Sequence, residues 1–307
     1  EFDQLVASMA TVLVSHGVVP CASVHVALTT SPTFIAVWIA TVRLGGWIVP
    51  SDPMGRSAEF HDHIDRTNPV AGFLSRDRAD VYRSAASDMA LFSIDEADAA
   101  FDWLPDERFV DWPTPAVSDT AAVMFTSGTT GRPKGVVISQ ANYAFAGKTM
   151  SEAAGLNEDD RHIVVLPLFH ANAQYYSFAS AIWAGASVAL MYTFSASGFL
   201  PQAARHGATC ASLFAAPLRM ILARGGPVEG VQLRHCWFAQ NISDDQYATV
   251  VDWFGCRPRQ LYGMTETISA VLTDTTDEPR PDSMGFVTNG CEVAVHDAAG
   301  VEAVAGD

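Results

Sequence analysis

Apolar residues recur along this chain with two alternating periods. Short β-branched runs, such as residues 24–28 and 70–74, are separated by stretches in which apolar side chains return every three or four positions, as in residues 34–44. Runs of the first kind predict buried strands, and stretches of the second kind predict amphipathic helices. The same alternation returns between residues 140 and 261. It predicts an α/β fold, built from two β-α-β sheet subdomains with helices on both faces of each sheet.

The pattern also predicts where these units divide. Residues 1–119 are interpreted as the first α/β subdomain, and residues 120–267 as the second, which carries the candidate site. An acidic, proline-bearing stretch at 95–119 is predicted to be a surface crossover between them. From residue 268 to 307 the chain has β-branched runs and many turn residues, which predict a β-rich, barrel-like segment.

Composition narrows the class of protein. A formal net charge of −16 argues against nucleic acid as a partner, because phosphate backbones require clustered basic residues. The five cysteines show no metal-binding spacing, which favours reduced thiols in a cytoplasmic protein. The most apolar run, residues 178–192, is too short to span a bilayer, so membrane insertion is not expected.

A polar loop lies between two apolar runs near the middle of the chain. Residues 126–135 read T-S-G-T-T-G-R-P-K-G and separate strand-like runs at 121–125 and 136–138. Glycines let backbone N–H groups converge on an anion, while hydroxyl and basic side chains add donors and positive charge. The loop therefore predicts a site for a polyphosphate. Its candidate contacts are Thr126, Ser127, Gly128, Thr129, Thr130, Gly131, Arg132 and Lys134.

This loop is not a Walker A motif, because Pro133 precedes Lys134 and a strand rather than a helix follows. Lys134 is nevertheless distinctive, since only two of the 18 basic residues in the chain are lysines. A solvated surface loop is the competing interpretation of the same residues.

A second polar motif, residues 260–267, reads Q-L-Y-G-M-T-E-T and follows a predicted strand. Tyr262 offers a flat face for a purine, and Gly263 allows a ligand to approach the backbone. The Thr265 hydroxyl and the Glu266 carboxylate are oxygen ligands of the kind that Mg²⁺ takes beside phosphate. A helix-capping Thr-Glu pair is the alternative interpretation.

A third motif, L-P-L-F-H at residues 166–170, places His170 just after a predicted strand, at the lip of an expected pocket. A lone histidine can equally be structural. The H-D-H sequence containing His61 and His63 lies on a helix predicted to be exposed, and we do not expect it to bind a metal.

In this order and spacing, the three motifs resemble those of the adenylate-forming (AMP-binding) superfamily, which includes acyl-CoA synthetases, adenylation domains of peptide synthetases and luciferases. The resemblance implies that ATP and Mg²⁺ activate a small carboxylic acid to an acyl-adenylate, which coenzyme A then converts to a thioester. It implies catalytic roles for Lys134 and His170, contact of Thr265 with the α-phosphate, and binding of the metal by Glu266. A carrier protein as acceptor, or a nucleotide-binding module without a complete reaction, are the alternatives.

The resemblance also suggests an adenine site. Tyr262 would stack on the base beside Gly263, and Gln260 stands where the family often has an adenine-contacting amide. Gln240 and Asn241 replace the small residues that are common in the family, so they could contact adenine or narrow the acid pocket.

Two departures from the family pattern matter. His170 stands where amino-acid-activating members carry an aspartate, which favours an acid without an α-amino group. The family's ribose-binding aspartate and its small C-terminal domain are not found, so the chain is expected to correspond to the large N-terminal portion, to bind ATP and to adenylate poorly alone. The aromatic and apolar residues expected near an acyl or aryl acid are Phe169, Tyr175, Tyr176, Phe178, Phe214, Trp237 and Met264.

Overall fold

A computed structural model describes residues 1–86, 89–95, 101–126 and 132–303. The first half of the chain forms a sheet of strand order β4-β3-β1-β2-β5-β6, in which only β6 runs antiparallel to its neighbour β5. Its elements are α1 (Phe2–Ser15), β1 (Ser23–Ala27), α2 (Pro32–Arg43), β2 (Trp47–Pro50), α3 (Ser57–Thr67), β3 (Ala71–Ser75), a 3-10 turn (Arg76–Arg78), α4 (Ala79–Arg83), β4 (Ala90–Ile94), β5 (Thr120–Thr126) and β6 (Lys134–Ser139).

The second half forms a sheet of order β13-β12-β11-β10-β9-β7-β8, parallel from β8 to β11 and antiparallel at β12 and β13. Its elements are α5 (Gln140–Ala154), β7 (Arg161–Val164), a π-helix (Asn172–Ala179), α6 (Ser180–Ala184), β8 (Ser187–Leu190), α7 (Phe199–Arg205), β9 (Cys210–Phe214), α8 (Ala215–Arg224), β10 (His235–Ala239), α9 (Asp244–Phe254), β11 (Arg259–Gly263), a 3-10 turn (Thr265–Thr267), β12 (Ala270–Thr273) and β13 (Phe286–Val287).

Local sequence signals account for several helix starts. Ser31 caps α2 by accepting a hydrogen bond from the Phe34 amide at 3.3 Å, and Pro32 occupies the first helical position. Ser243 caps α9 through a reciprocal pair with Gln246. Ser57 is itself the first residue of α3, so Arg56 and not this serine occupies the N-cap position.

The predicted α/β class with helices packed on parallel sheets is confirmed. The segment after residue 268 differs in detail, because β12 and β13 extend the second sheet, and no closed barrel is present in the described residues. The helical stretch between β7 and β8 begins as the π-helix, a wider winding that is often found at functional sites. The subdomain boundaries at 119 and 267 stay predictions.

All five cysteines are unpaired. Within the described ranges, no helix has the length and apolar character needed to cross a bilayer.

Candidate nucleotide and acid site

Two motifs that are far apart in the sequence meet in the fold. Thr126 is the last residue of β5, and Glu266 lies in the 3-10 turn that follows β11. The Thr126 hydroxyl donates a hydrogen bond to Glu266 Oε1 at 3.2 Å, across 140 positions of sequence. Thr126, the first residue of the T-S-G-T-T-G sequence, and Glu266 of the Y-G-M-T-E motif therefore lie together, between the two sheets.

The polar loop is shorter than the sequence pattern suggested. β5 ends at Thr126 and β6 begins at Lys134, and these two residues face each other across the antiparallel pair. Lys134 is exposed at this end of the hairpin. Five predicted phosphate contacts lie outside the described residues, namely Ser127, Gly128, Thr129, Thr130 and Gly131.

Arg132 is engaged by a carboxylate from helix α3. Its Nη2 and Nε atoms donate to Asp62 Oδ1 at 2.8 and 3.2 Å. Burial would raise the pKa of Asp62, but hydrogen bonds from Arg66 and Arg132 outweigh it and hold that pKa below its usual range. The Arg132 side chain stays 71% exposed, so its guanidinium remains accessible from solvent.

The Y-G-M-T-E motif combines an exposed ring with a tightly packed backbone. Tyr262 is 44% exposed at the end of β11, as stacking on a base requires. The register of β11 against β12 shifts between Tyr262 and Gly263. A Cβ at Gly263 would lie 2.6 Å from the Tyr176 hydroxyl and 2.9 Å from Ala270 Cα, so only glycine fits.

The backbone after Glu266 is held in an uncommon conformation. Ile268 has a φ of 69° and a ψ of −53°, and the Ser269 amide donates to Thr267 O at 2.8 Å across it. This is a γ-turn with a β-branched residue at its centre, a strained arrangement that tends to occur at functional sites. The tight turn fixes the chain just beyond Thr265 and Glu266.

A cavity of about 280 Å³ opens beside this motif. It lies at the carboxyl ends of β9, β10 and β11, where ligands bind in open α/β sheets. Its lining is largely apolar, with the polar groups of the motif at one side. The lining residues are His170, Ala171, Asn172, Tyr176, Phe214, Ala239, Leu261, Gly263, Met264 and Thr265.

His170 forms part of the cavity wall, with its ring centroid 4.3 Å from that of Phe169. The surrounding protein desolvates the imidazole and lowers its pKa, and the negative charge of Asp52 opposes this effect. The lowered pKa favours the neutral imidazole, which can accept or donate a hydrogen bond without carrying charge. Asp52 lies in the sequence P-S-D-P-M at residues 50–54, which begins at the end of β2 and comes close to this histidine.

The predicted adenine amides lie in different surroundings. Gln240 and Asn241 are exposed after β10, and Gln240 has a positive φ of 72°. Gln260 is only 1% exposed, and its amide nitrogen donates to Pro281 O and, at 3.5 Å, to Asn241 Oδ1. In this structure Gln260 therefore contacts Asn241 from the interior of the protein and does not line the open cleft.

The expected acid-pocket residues divide into two groups. Tyr176, Phe214 and Met264 line the cavity. Tyr175, Trp237 and Phe178 are buried in the core. The remaining residue, Phe169, belongs to neither group; it is half-buried and packs beside His170. The pattern missed Asn172, although its place two positions after the L-P-L-F-H motif was an available signal. It also missed the part played by helix α3, because the exposed-helix interpretation of His63 was wrong and that ring is half-buried.

The donor set suits a hard divalent cation beside phosphate. Glu266 and Thr126 offer a carboxylate and a hydroxyl, the oxygen ligands that Mg²⁺ takes. In the part of the chain that the structure describes, no cluster of three or more His, Cys, Asp or Glu side chains could hold a metal alone. A magnesium ion at Glu266 would consequently need phosphate oxygens and water to complete its coordination.

Comparison with known proteins identifies the family. The profile described as AMP-binding enzyme matches residues 1–307. The chain belongs to the AMP-binding enzyme family. A crotonobetaine/carnitine–CoA ligase of Escherichia fergusonii is 28% identical over 303 residues, covering 91% of this chain and 57% of that protein. Its counterpart from Escherichia coli K12 is 27% identical over 321 residues, with coverage of 97% and 61%.

Solved structures share this fold. A benzoate CoA ligase from Burkholderia xenovorans LB400 superimposes with a TM-score of 0.90 at 17% identity, covering 100% of this chain and 64% of that one. The anthranilate CoA ligase AuaEII, in complex with anthranoyl-AMP, gives 0.89 at 18% identity, covering 100% and 61%. The chain thus spans less than two thirds of the length of these relatives.

Proposed function

We propose that this chain carries the nucleotide and acid sites of an AMP-forming acid–CoA ligase. The observation that supports this most strongly is the hydrogen bond between Thr126 and Glu266, which joins the phosphate-loop hairpin to the Y-G-M-T-E motif. Family membership adds the reaction class, because the relatives matched over nearly all of this chain are named as CoA ligases.

In the proposed first step, a carboxylate oxygen of the acid attacks the α-phosphorus of ATP. A P–O bond forms, the bond to the β-phosphate oxygen breaks, and pyrophosphate leaves. Thr265 would donate to the α-phosphate, while Lys134 and the loop would hold the β- and γ-phosphates. A Mg²⁺ ion at Glu266 would supply positive charge to the phosphate oxygens. Positioning and charge stabilisation are the main contributions a protein makes to such a transfer.

In the proposed second step, the thiol sulfur of coenzyme A attacks the acyl carbon. A thioester forms, the acyl–phosphate bond breaks, and AMP leaves with the thiol proton released to solvent. Tyr262 would hold the adenine ring through both steps by stacking. His170, on the wall of the acid cavity, would orient the carboxylate as a neutral hydrogen-bond donor.

The cavity favours an aryl or short acyl acid that carries no charged group besides its reacting carboxylate. Its lining has no Asp, Glu, Lys or Arg among the described residues, and the aromatic rings of Tyr176 and Phe214 contribute to its walls. Such a site offers neither a carboxylate to an α-ammonium group nor a cation to a second carboxylate. The relatives named for benzoate and anthranilate act on acids of this size, which supports the assignment.

The acceptor is proposed to be coenzyme A, because the relatives are CoA ligases and nothing in the described residues favours a carrier protein. The test uses the complete protein with MgATP and a panel of aryl and short acyl acids. AMP release should require one of these acids and coenzyme A. Release that requires a phosphopantetheinylated carrier protein would refute the acceptor, and no AMP with any acid would refute the enzyme assignment.

A further inference from the structure

Helix α3 contacts the phosphate-loop hairpin on both sides of residues 127–131. On the incoming side, the His63 ring stacks on Phe125 with centroids 3.9 Å apart and an interplanar angle of 9°. The Arg66 guanidinium also lies over the Phe125 ring, 4.6 Å from its centroid. On the outgoing side, Asp62 binds Arg132 through Oδ1.

Arg66 links the two sides. Its Nη1 atom donates to the Pro133 carbonyl at 2.9 Å and to Asp62 Oδ2 at 2.8 Å. The Asp62 carboxylate is thus shared between two guanidinium groups, one from α3 and one from the loop. Since one carboxylate meets two cations, the trio keeps a net positive charge next to the loop.

The α3 side of this contact is itself anchored in the interior. His63 Nδ1 is 2.8 Å from Ser51 Oγ, which is 2.9 Å from His25 Nε2, and His25 Nδ1 is 2.6 Å from the Tyr82 hydroxyl. His25 is fully buried, and both imidazoles have pKa values lowered chiefly by burial, to about 3 for His25 and about 4 for His63. A chain of neutral imidazoles and hydroxyls therefore fixes the rotamer of the ring that stacks on Phe125.

We propose that Asp62, His63 and Arg66 are positioning residues for the phosphate loop, which set its affinity for the polyphosphate of ATP without touching the nucleotide. This inference rests on the proposed function, since it takes ATP as the ligand of the loop. Its physical basis is preorganisation. Residues held on either side of a binding loop leave less backbone freedom for a ligand to remove.

Positioning and simple electrostatics predict opposite changes in ATP affinity when the charge of Asp62 is removed. Asp62→Asn removes a negative charge near the site, so charge alone predicts tighter binding of a polyanion. Positioning predicts weaker binding, because the neutral amide no longer holds the guanidinium groups of Arg66 and Arg132. Asp65→Asn on the same helix is the matched control, because Asp65 is exposed and the change in charge is the same.

The test measures MgATP binding to the complete protein by calorimetry, together with KM for ATP and for the acid in ATP–pyrophosphate exchange. Asp62→Asn should raise both the Kd and the KM for ATP about ten-fold, the scale of one charge-assisted contact. The KM for the acid should change by less than about two-fold, because the variant weakens binding of the nucleotide and leaves the contacts of the acid intact. Unchanged or tighter ATP binding by Asp62→Asn would overturn the proposal.

A second pair of variants tests the incoming side. His63→Ala should also weaken ATP binding, and His63→Phe should restore it, since phenylalanine can still stack on Phe125. Equal loss in both variants would refute stacking as the means of positioning. If wild type binds MgATP and Asp62→Asn weakens that binding, yet no acid supports exchange, the positioning role stands and the proposed function fails.

Discussion

Gly263 offers a sharp test of how the site is built. It follows Tyr262 in β11 and leads into the segment that carries Thr265 and Glu266. A Cβ there would lie 2.6 Å from the Tyr176 hydroxyl, 2.9 Å from Ala270 Cα and 3.0 Å from Ser269 O. Gly263→Ala must therefore displace the strand or its neighbours.

The cost follows from which atoms would have to move. Two of the three atoms belong to the backbone of the neighbouring segment, so rotation of a flexible side chain cannot relieve the clash. Overpacking of this kind costs about 2 kcal/mol. For a chain of 307 residues, that corresponds to a fall in Tm of about 3 °C. A shift of the catalytic segment by about 1 Å would lower turnover about 100-fold.

Thermal unfolding and ATP–pyrophosphate exchange measure the two effects. Gly226→Ala is the control, because a Cβ there meets nothing within 4 Å. It should change Tm and exchange little. If Gly263→Ala kept the wild-type Tm and exchange rate, the close packing of Tyr176 and Ala270 against this strand would be wrong.

Two further predictions test the base site and a structural ion pair. Tyr262→Ala should raise the KM for ATP about ten-fold, the scale of one stacked base. Tyr262→Phe, and the control Tyr192→Ala at a similarly exposed tyrosine, should leave this KM unchanged. An unaffected KM for ATP in Tyr262→Ala would exclude stacking. Burial would raise the pKa of Asp160, but the hydrogen bonds from Arg234 dominate and lower it. Asp160→Asn should therefore cost about 3 kcal/mol of unfolding free energy at pH 7. In denaturant titrations this difference should shrink as pH falls below about 4, because the unfolded chain then takes up a proton at Asp160 that the native carboxylate, with its lowered pKa, does not. A difference independent of pH would contradict the ion-pair assignment.

Much of the fold could be predicted from local pattern. Period and cap residues give the strands and helices, because burial and capping act over a few positions, as at Ser31 and Ser243. The π-helix could not be predicted, since every residue from 172 to 179 is buried and no polar face marks the winding. The join of β12 and β13 to the second sheet is a long-range pairing that local sequence does not encode.

The site shows the same division. Motif spacing brought Thr126 and Glu266 into one prediction, and the structure places them in hydrogen-bond contact. The contacts of Arg132 with Asp62 and the burial of Gln260 depend on tertiary packing and on no local signal. Likewise, His63 lies on a polar helix, and only its position over Phe125 reveals its contact with the hairpin.

The central claim is that the phosphate-loop hairpin and the Y-G-M-T-E motif form one adenylating site. Glu266→Gln tests it most directly, because this change preserves the shape of the side chain and removes the charge proposed to hold Mg²⁺. In ATP–pyrophosphate exchange by the complete protein, the rate should fall at least about 100-fold, with Tm unchanged because the residue is exposed. Glu229→Gln, at another exposed carboxylate, should exchange like wild type. Exchange by Glu266→Gln within about three-fold of wild type would contradict the claim.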